Sequence, residues 1–145
     1  MFATVGALDE RVPDLLRGAW DDVHRQGPAA VSKICNCIVE VLDRILRAAA
    51  PDTDVRRWFE QAKRPPNEWD ASRTRPTRTL RIRYILHTRP VAGNVGQANI
   101  DALIALNKTV MADAQSAKHA DTATVARARS LLVAAEALLS MLLCN

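Results

Sequence analysis

Between Pro28 and Ala50 the residues Val31, Ile34, Ile38, Val41 and Ile45 recur at alternating steps of three and four, which only an α-helix gathers onto one face. Cys35, Leu42, Leu46 and Ala49 widen that stripe, so the helix expects neighbours on more than one side. Its outer face offers Glu40 with Arg44 and Asp43 with Arg47, two i,i+4 pairs of favourable orientation. Pro51 ends it.

The same period organises most of the remaining chain. A first helix runs from Leu8 or Asp9 to about Gln26, with Val12, Leu15, Leu16, Ala19 and Val23 inward and Trp20 at the edge. Pro13 belongs in its first turn, and Gly27-Pro28 separates it from the next helix. A short helix near Asp54–Lys63 groups Val55, Trp58, Phe59 and Ala62. Leu80–His87 fits either an alternating strand or a helix; the helix is favoured, because a lone strand would leave its backbone unpaired. Two long helices follow, about Val95–Lys118 and from a cap at Asp121 or Thr122 to Leu143. The last carries a seam of Val125, Ala128, Leu132, Ala135, Leu139 and Leu142. Being apolar nearly all round from Leu131, it is either central in the bundle or half of an interface. The expected fold is all-α: a compact bundle of five to six helices in one domain over residues 1–145, interrupted by a basic Pro/Arg-rich loop at 63–79.

Composition agrees. Only 4% of residues are aromatic and 5 are glycine, a poor supply for an all-β sandwich. A chain of 145 residues can bury roughly two thirds of its unfolded surface, without a disulfide or metal staple. Three cysteines, Cys35, Cys37 and Cys144, suit a reducing compartment, and no apolar run approaches a membrane span. Cytoplasm and no membrane are the expectations. The net charge of +4 permits an anionic partner without requiring one.

The densest chemical signal is the run of Lys63, Arg64, Arg73, Arg75, Arg78, Arg81, Arg83 and Arg89, opposed by Glu68 and Asp70. Guanidinium forks pair bidentately with phosphate, and Trp69, Tyr84 and His87 stand among them as stacking groups. Arg73, Arg75, Arg78, Arg81, Arg83 and Arg89 are therefore the candidate nucleic-acid contacts; the alternative is a solvated loop. Cys35-x-Cys37 is a poor metal pair, since positions two apart on a helix diverge by about 200°. No metal and no cofactor are expected. Glu136, an acid among leucines, calls for an arginine or histidine to meet it.

Arg81 and His87 form Arg-x5-His, which resembles the Arg-x(4–6)-His signature of HEPN ribonucleases, where the two residues act together on the scissile phosphate of RNA. Here the pair stands two helices before the end rather than just ahead of the last, and Ile82 takes a position usually polar. A wider likeness rests on three stretches: Leu8–Leu16 leading to Ala19-Trp20, Leu42–Arg44 through Ala50–Asp52, and Leu131–Leu139. Over most of its length the chain resembles the predicted pPIWI-associating nucleases of bacterial conflict loci. That resemblance implies an all-α component of a defence or toxin–antitoxin-type system and transfers no catalytic residue. The expectation is a non-catalytic helical module binding RNA or DNA through the basic segment. Its rivals are a HEPN-like ribonuclease using Arg81 and His87, and a structural subunit that meets a protein partner or a second copy through the final helix.

Overall fold

The computed structural model describes residues 1–62, 69, 75–88, 96–120 and 122–143. They contain seven helices: α1 (Phe2–Leu8), α2 (Val12–Arg25), α3 (Ala30–Ala49), α4 (Asp52–Gln61), α5 (Arg78–Thr88), α6 (Gln97–Ala117) and α7 (Val125–Leu143). The all-α class holds, but there is one helix more than the sequence suggested. The addition is α1, which no side chain caps and which stands on one buried residue, Val5. It stops at Asp9, whose carboxylate accepts the Arg11 backbone N–H at 3.0 Å and turns the chain into α2. Gly6 lets Pro13 close on α1, because a Cβ there would sit 3.2 Å from the proline ring.

Other boundaries move for local reasons. Gln26 rather than Gly27 adopts the left-handed conformation (φ 49°) that ends α2. The acids Asp52 and Asp54 place the start of α4 immediately after Pro51, where they favour its positive end. Of the two residues expected to cap α7, Asp121 lies outside the described residues and Thr122 gives way to Thr124, whose hydroxyl accepts the Arg127 N–H at 3.3 Å. Leu80–His87 is helical, as part of α5.

The centre of the molecule is α3, which touches α1, α2, α5, α6 and α7. Ile34, Ile38, Val41, Leu42 and Ile45 are wholly buried along it, so the wide stripe is covered from several sides. The α7 seam of Ala128, Leu132, Ala135, Leu139 and Leu142 is buried within the same chain, principally against α3 and α6. A second copy would therefore meet not this seam but the outer face of α7, where Val133 and Met141 remain exposed.

Part-buried polar groups find partners at helix junctions. Glu136 accepts the Trp20 indole N–H at 3.0 Å, tying α7 to α2; its partner is an aromatic ring, not the expected arginine or histidine. The two cysteines of α3 diverge as helix geometry requires. Cys37 donates to the Leu15 carbonyl at 3.2 Å, and burial pushes its thiol up to about 12, with Glu40, Asp22 and Glu136 adding to the effect. Burial also raises the Cys35 thiol, against the opposing influence of Arg127 and Lys118. Among the described residues no helix is long and apolar enough to cross a membrane, and no three His, Cys, Asp or Glu side chains converge as metal ligands.

Candidate anion-binding cleft

Where α5 leaves the centre of α3 and passes α6, the helices do not close, and a cleft of about 780 Å³ remains. One wall is the C-terminal half of α3, with Asp43, Leu46 and Arg47. Arg75, Pro76, Thr77, Arg78, Thr79 and Arg81 bring the start of α5 to a second wall, and α6 supplies Asn107, Lys108, Met111, Ala112 and Gln115. The Thr77 hydroxyl accepts the Leu80 N–H at 3.2 Å, fixing the first turn of α5 with its positive dipole end at the cleft.

The arginines lining the cleft differ in how fully acids neutralise them. Arg78 grips Asp43 with both arms, Nε at 2.6 Å and a terminal nitrogen at 3.0 Å. That clamp joins α5 to α3 and holds the Arg78 guanidinium above its usual range. It also takes Asp43 away from Arg47, the i,i+4 partner suggested by the sequence. Glu40–Arg44 does form, at 2.9 Å, with Asp9 as a second partner of Arg44 at 3.1 Å. Arg47 and Lys108 are exposed at the cleft and make no ion pair among the described residues. Arg75, 69% exposed, lies 3.9 Å from Asp52, a distance at which little is neutralised. Among the described residues, five cationic side chains thus line the cleft against one carboxylate, that of Asp43.

Arg81 is the deepest of them, 4% exposed, donating to the Ala50 carbonyl and to the Asp52 carboxylate. Those bonds fasten α5 to the α3–α4 junction. Arg83 faces another way, 3.7 Å from Asp101 at the start of α6. Arg73 and Arg89 lie outside the described residues. The six candidate contacts are therefore not one surface: Arg75, Arg78 and Arg81 share the cleft and Arg83 does not.

Arg81 and His87 are not assembled into a joint site. Six residues apart on α5, they are separated by about 9 Å of rise and about 240° of turn. His87 is exposed and packs on Trp58 with centroids 5.5 Å apart, while Arg81 is held at the other end of α4. The proposed stacking residues are likewise engaged, each by an aromatic ring of α4. Trp58 meets Tyr84 edge-on at 5.8 Å, and Trp69 lies 5.3 Å from Phe59 with the Arg56 guanidinium 5.4 Å over its ring.

Arg47, Asn107 and Lys108 were missed as site residues because each sits in an otherwise ordinary amphipathic helix, far from the arginine-rich run. Only Asn107 gave a local signal, a carboxamide on the apolar stripe between Ile104 and Met111. It is 2% exposed, and its Oδ1 has no hydrogen-bond partner among the described residues.

No match to the chain was found among curated proteins or among solved structures. The family profile described as "predicted pPIWI-associating nuclease" matches residues 7–142, which takes in all of α2 through α6, most of α7 and the whole cleft. The chain belongs to the predicted pPIWI-associating nuclease family.

Proposed function

We propose that this chain is a nucleic-acid-binding component of a bacterial defence system, taking phosphate groups of RNA or DNA into the cleft between α3, α5 and α6 without cleaving them. The observation that carries the reading is the grouping of Arg47, Arg75 and Lys108, weakly paired or unpaired, beside the positive end of α5. Oxyanions satisfy both features, and a phosphate backbone supplies them repeatedly. The cationic contacts are then Arg47, Arg75 and Lys108, while Arg78 and Arg81 shape the cleft by holding α5 in place. The family description names a pPIWI associate, which makes a protein partner part of the proposed setting.

The test is binding of labelled RNA and DNA across a salt series, with the RNA run on a gel afterwards. Affinity is expected to fall steeply with salt. Arg47→Ala, Arg75→Ala and Lys108→Ala should each weaken unrelated sequences by similar factors and reduce the salt slope by about 1. Affinity independent of salt would refute the reading. Cleavage abolished by His87→Ala would replace it with the ribonuclease one.

A further inference from the structure

Asn107 lies in the middle of α6, with Ile104, Val110, Met111 and Ala114 buried beside it on the apolar side of the helix. An amide oxygen enclosed there without a donor is costly to the folded state, and an apolar side chain of similar size would avoid that cost. Polar groups that stay unanswered in a folded core call for an explanation, and here the side chain borders a cationic cleft. A phosphodiester cannot supply the missing partner, because at neutral pH its oxygens only accept hydrogen bonds. The group that answers Asn107 must carry an N–H or O–H and must arrive beside an anion.

We infer that Asn107 is the reading group of the cleft: when a ligand enters, its carboxamide turns so that the enclosed oxygen accepts a hydrogen bond from the sugar or base of a nucleotide whose phosphate lies against Arg47 and Lys108. The inference deepens the nucleic-acid reading and rests on it. Nucleotides combine the two required features within one unit, an anionic phosphate and a donor on the 2′-hydroxyl or on a base amino group. A fully ionised polyphosphate has the first alone. The cleft therefore discriminates nucleotides from plain polyanions through a residue that carries no charge.

The experiment compares wild type, Asn107→Leu and Asn107→Ala by fluorescence anisotropy with ten-nucleotide oligo(rA), oligo(dA) and oligo(rU), and by competition with tripolyphosphate, at an alkaline pH where the tripolyphosphate chain ends are ionised. Loss of one neutral hydrogen bond in the variants should weaken at least one oligonucleotide about tenfold and leave tripolyphosphate unchanged. Loss confined to the two ribose strands identifies the 2′-hydroxyl, and loss confined to the two adenine strands identifies the base amino group. Asn107→Leu should also melt no lower than wild type, because it removes an unpaired buried oxygen. Unchanged binding of every oligonucleotide by both variants, or an equal loss for oligonucleotides and tripolyphosphate, would overturn the inference. If Arg47→Ala weakens all ligands while Asn107→Leu weakens none, the cleft reading stands and the role of Asn107 falls. If wild type binds no oligonucleotide, both fall.

Discussion

Removing the Arg81 guanidinium would leave the Ala50 carbonyl without its donor and Asp52 with the more distant Arg75 in place of its close charge partner where α3 meets α4. Asp52 is 45% exposed and water would recover part of the loss, so Arg81→Ala is expected to destabilise by about 2–3 kcal/mol in urea unfolding. Arg75→Ala, on an exposed side chain, should change stability by less than about 0.5 kcal/mol. Any binding defect of the Arg81 variant must therefore be measured where the variant is folded. Asp9 gives a pH prediction. The Arg11 backbone N–H and the Arg44 guanidinium, against partial burial, hold its carboxyl below the usual carboxylate range. A depressed folded-state pKa stabilises above the unfolded value of about 4, and the contribution is lost as pH falls through the folded value. Urea midpoints taken from pH 5 down to pH 2.5 should accordingly fall less steeply for Asp9→Asn than for wild type. Cys37 behaves in the opposite sense, since a thiol raised to about 12 is protonated at neutral pH. In a Cys144→Ser background, Cys35 and Cys37 should react with a thiol reagent at pH 8 only as fast as the protein opens.

At the scale of elements, the seams of α3 and α7 could be read directly from the sequence, because a long apolar period leaves few alternatives to a buried helix. The consequence is measurable. Leu132→Ala and Leu139→Ala, both wholly buried, should each cost about 2–5 kcal/mol, whereas Val133→Ser and Met141→Ser on the outer face should cost less than about 0.5 kcal/mol. Illegible features were either short or non-local. Seven residues without a side-chain cap gave α1 no signature, and its docking depends on a proline meeting a glycine across a turn. Asp43 and Arg47 are correctly spaced to pair, yet a bidentate fork arriving from Arg78, 35 residues on, takes the carboxylate. The place of Glu136 among leucines calls for a partner, but that partner is 116 residues away and is an indole. Periodicity assigns faces; it cannot say which distant side chain will meet them. For the same reason the cleft was only partly visible. The arginine-rich run marked one wall, and the two opposite walls came from helices whose sequences advertise nothing but amphipathicity.

For the molecule as a whole, the arrangement around α3 sets the order in which the structure can be completed. Its partners are drawn from both directions along the chain: α1 and α2 precede it, while α5, α6 and α7 follow. At synthesis rates of about 5–20 residues per second, the roughly 90 residues separating the ends of α3 and α7 take on the order of 5–20 s to appear. Throughout that interval the side of α3 destined for α7 has no cover from its own chain, and the side destined for α6 has none until α6 is made. The newborn protein therefore leaves its central helix only partly covered until the last one is made, and the ribosome-bound chain is a natural client for a holding chaperone until that helix arrives.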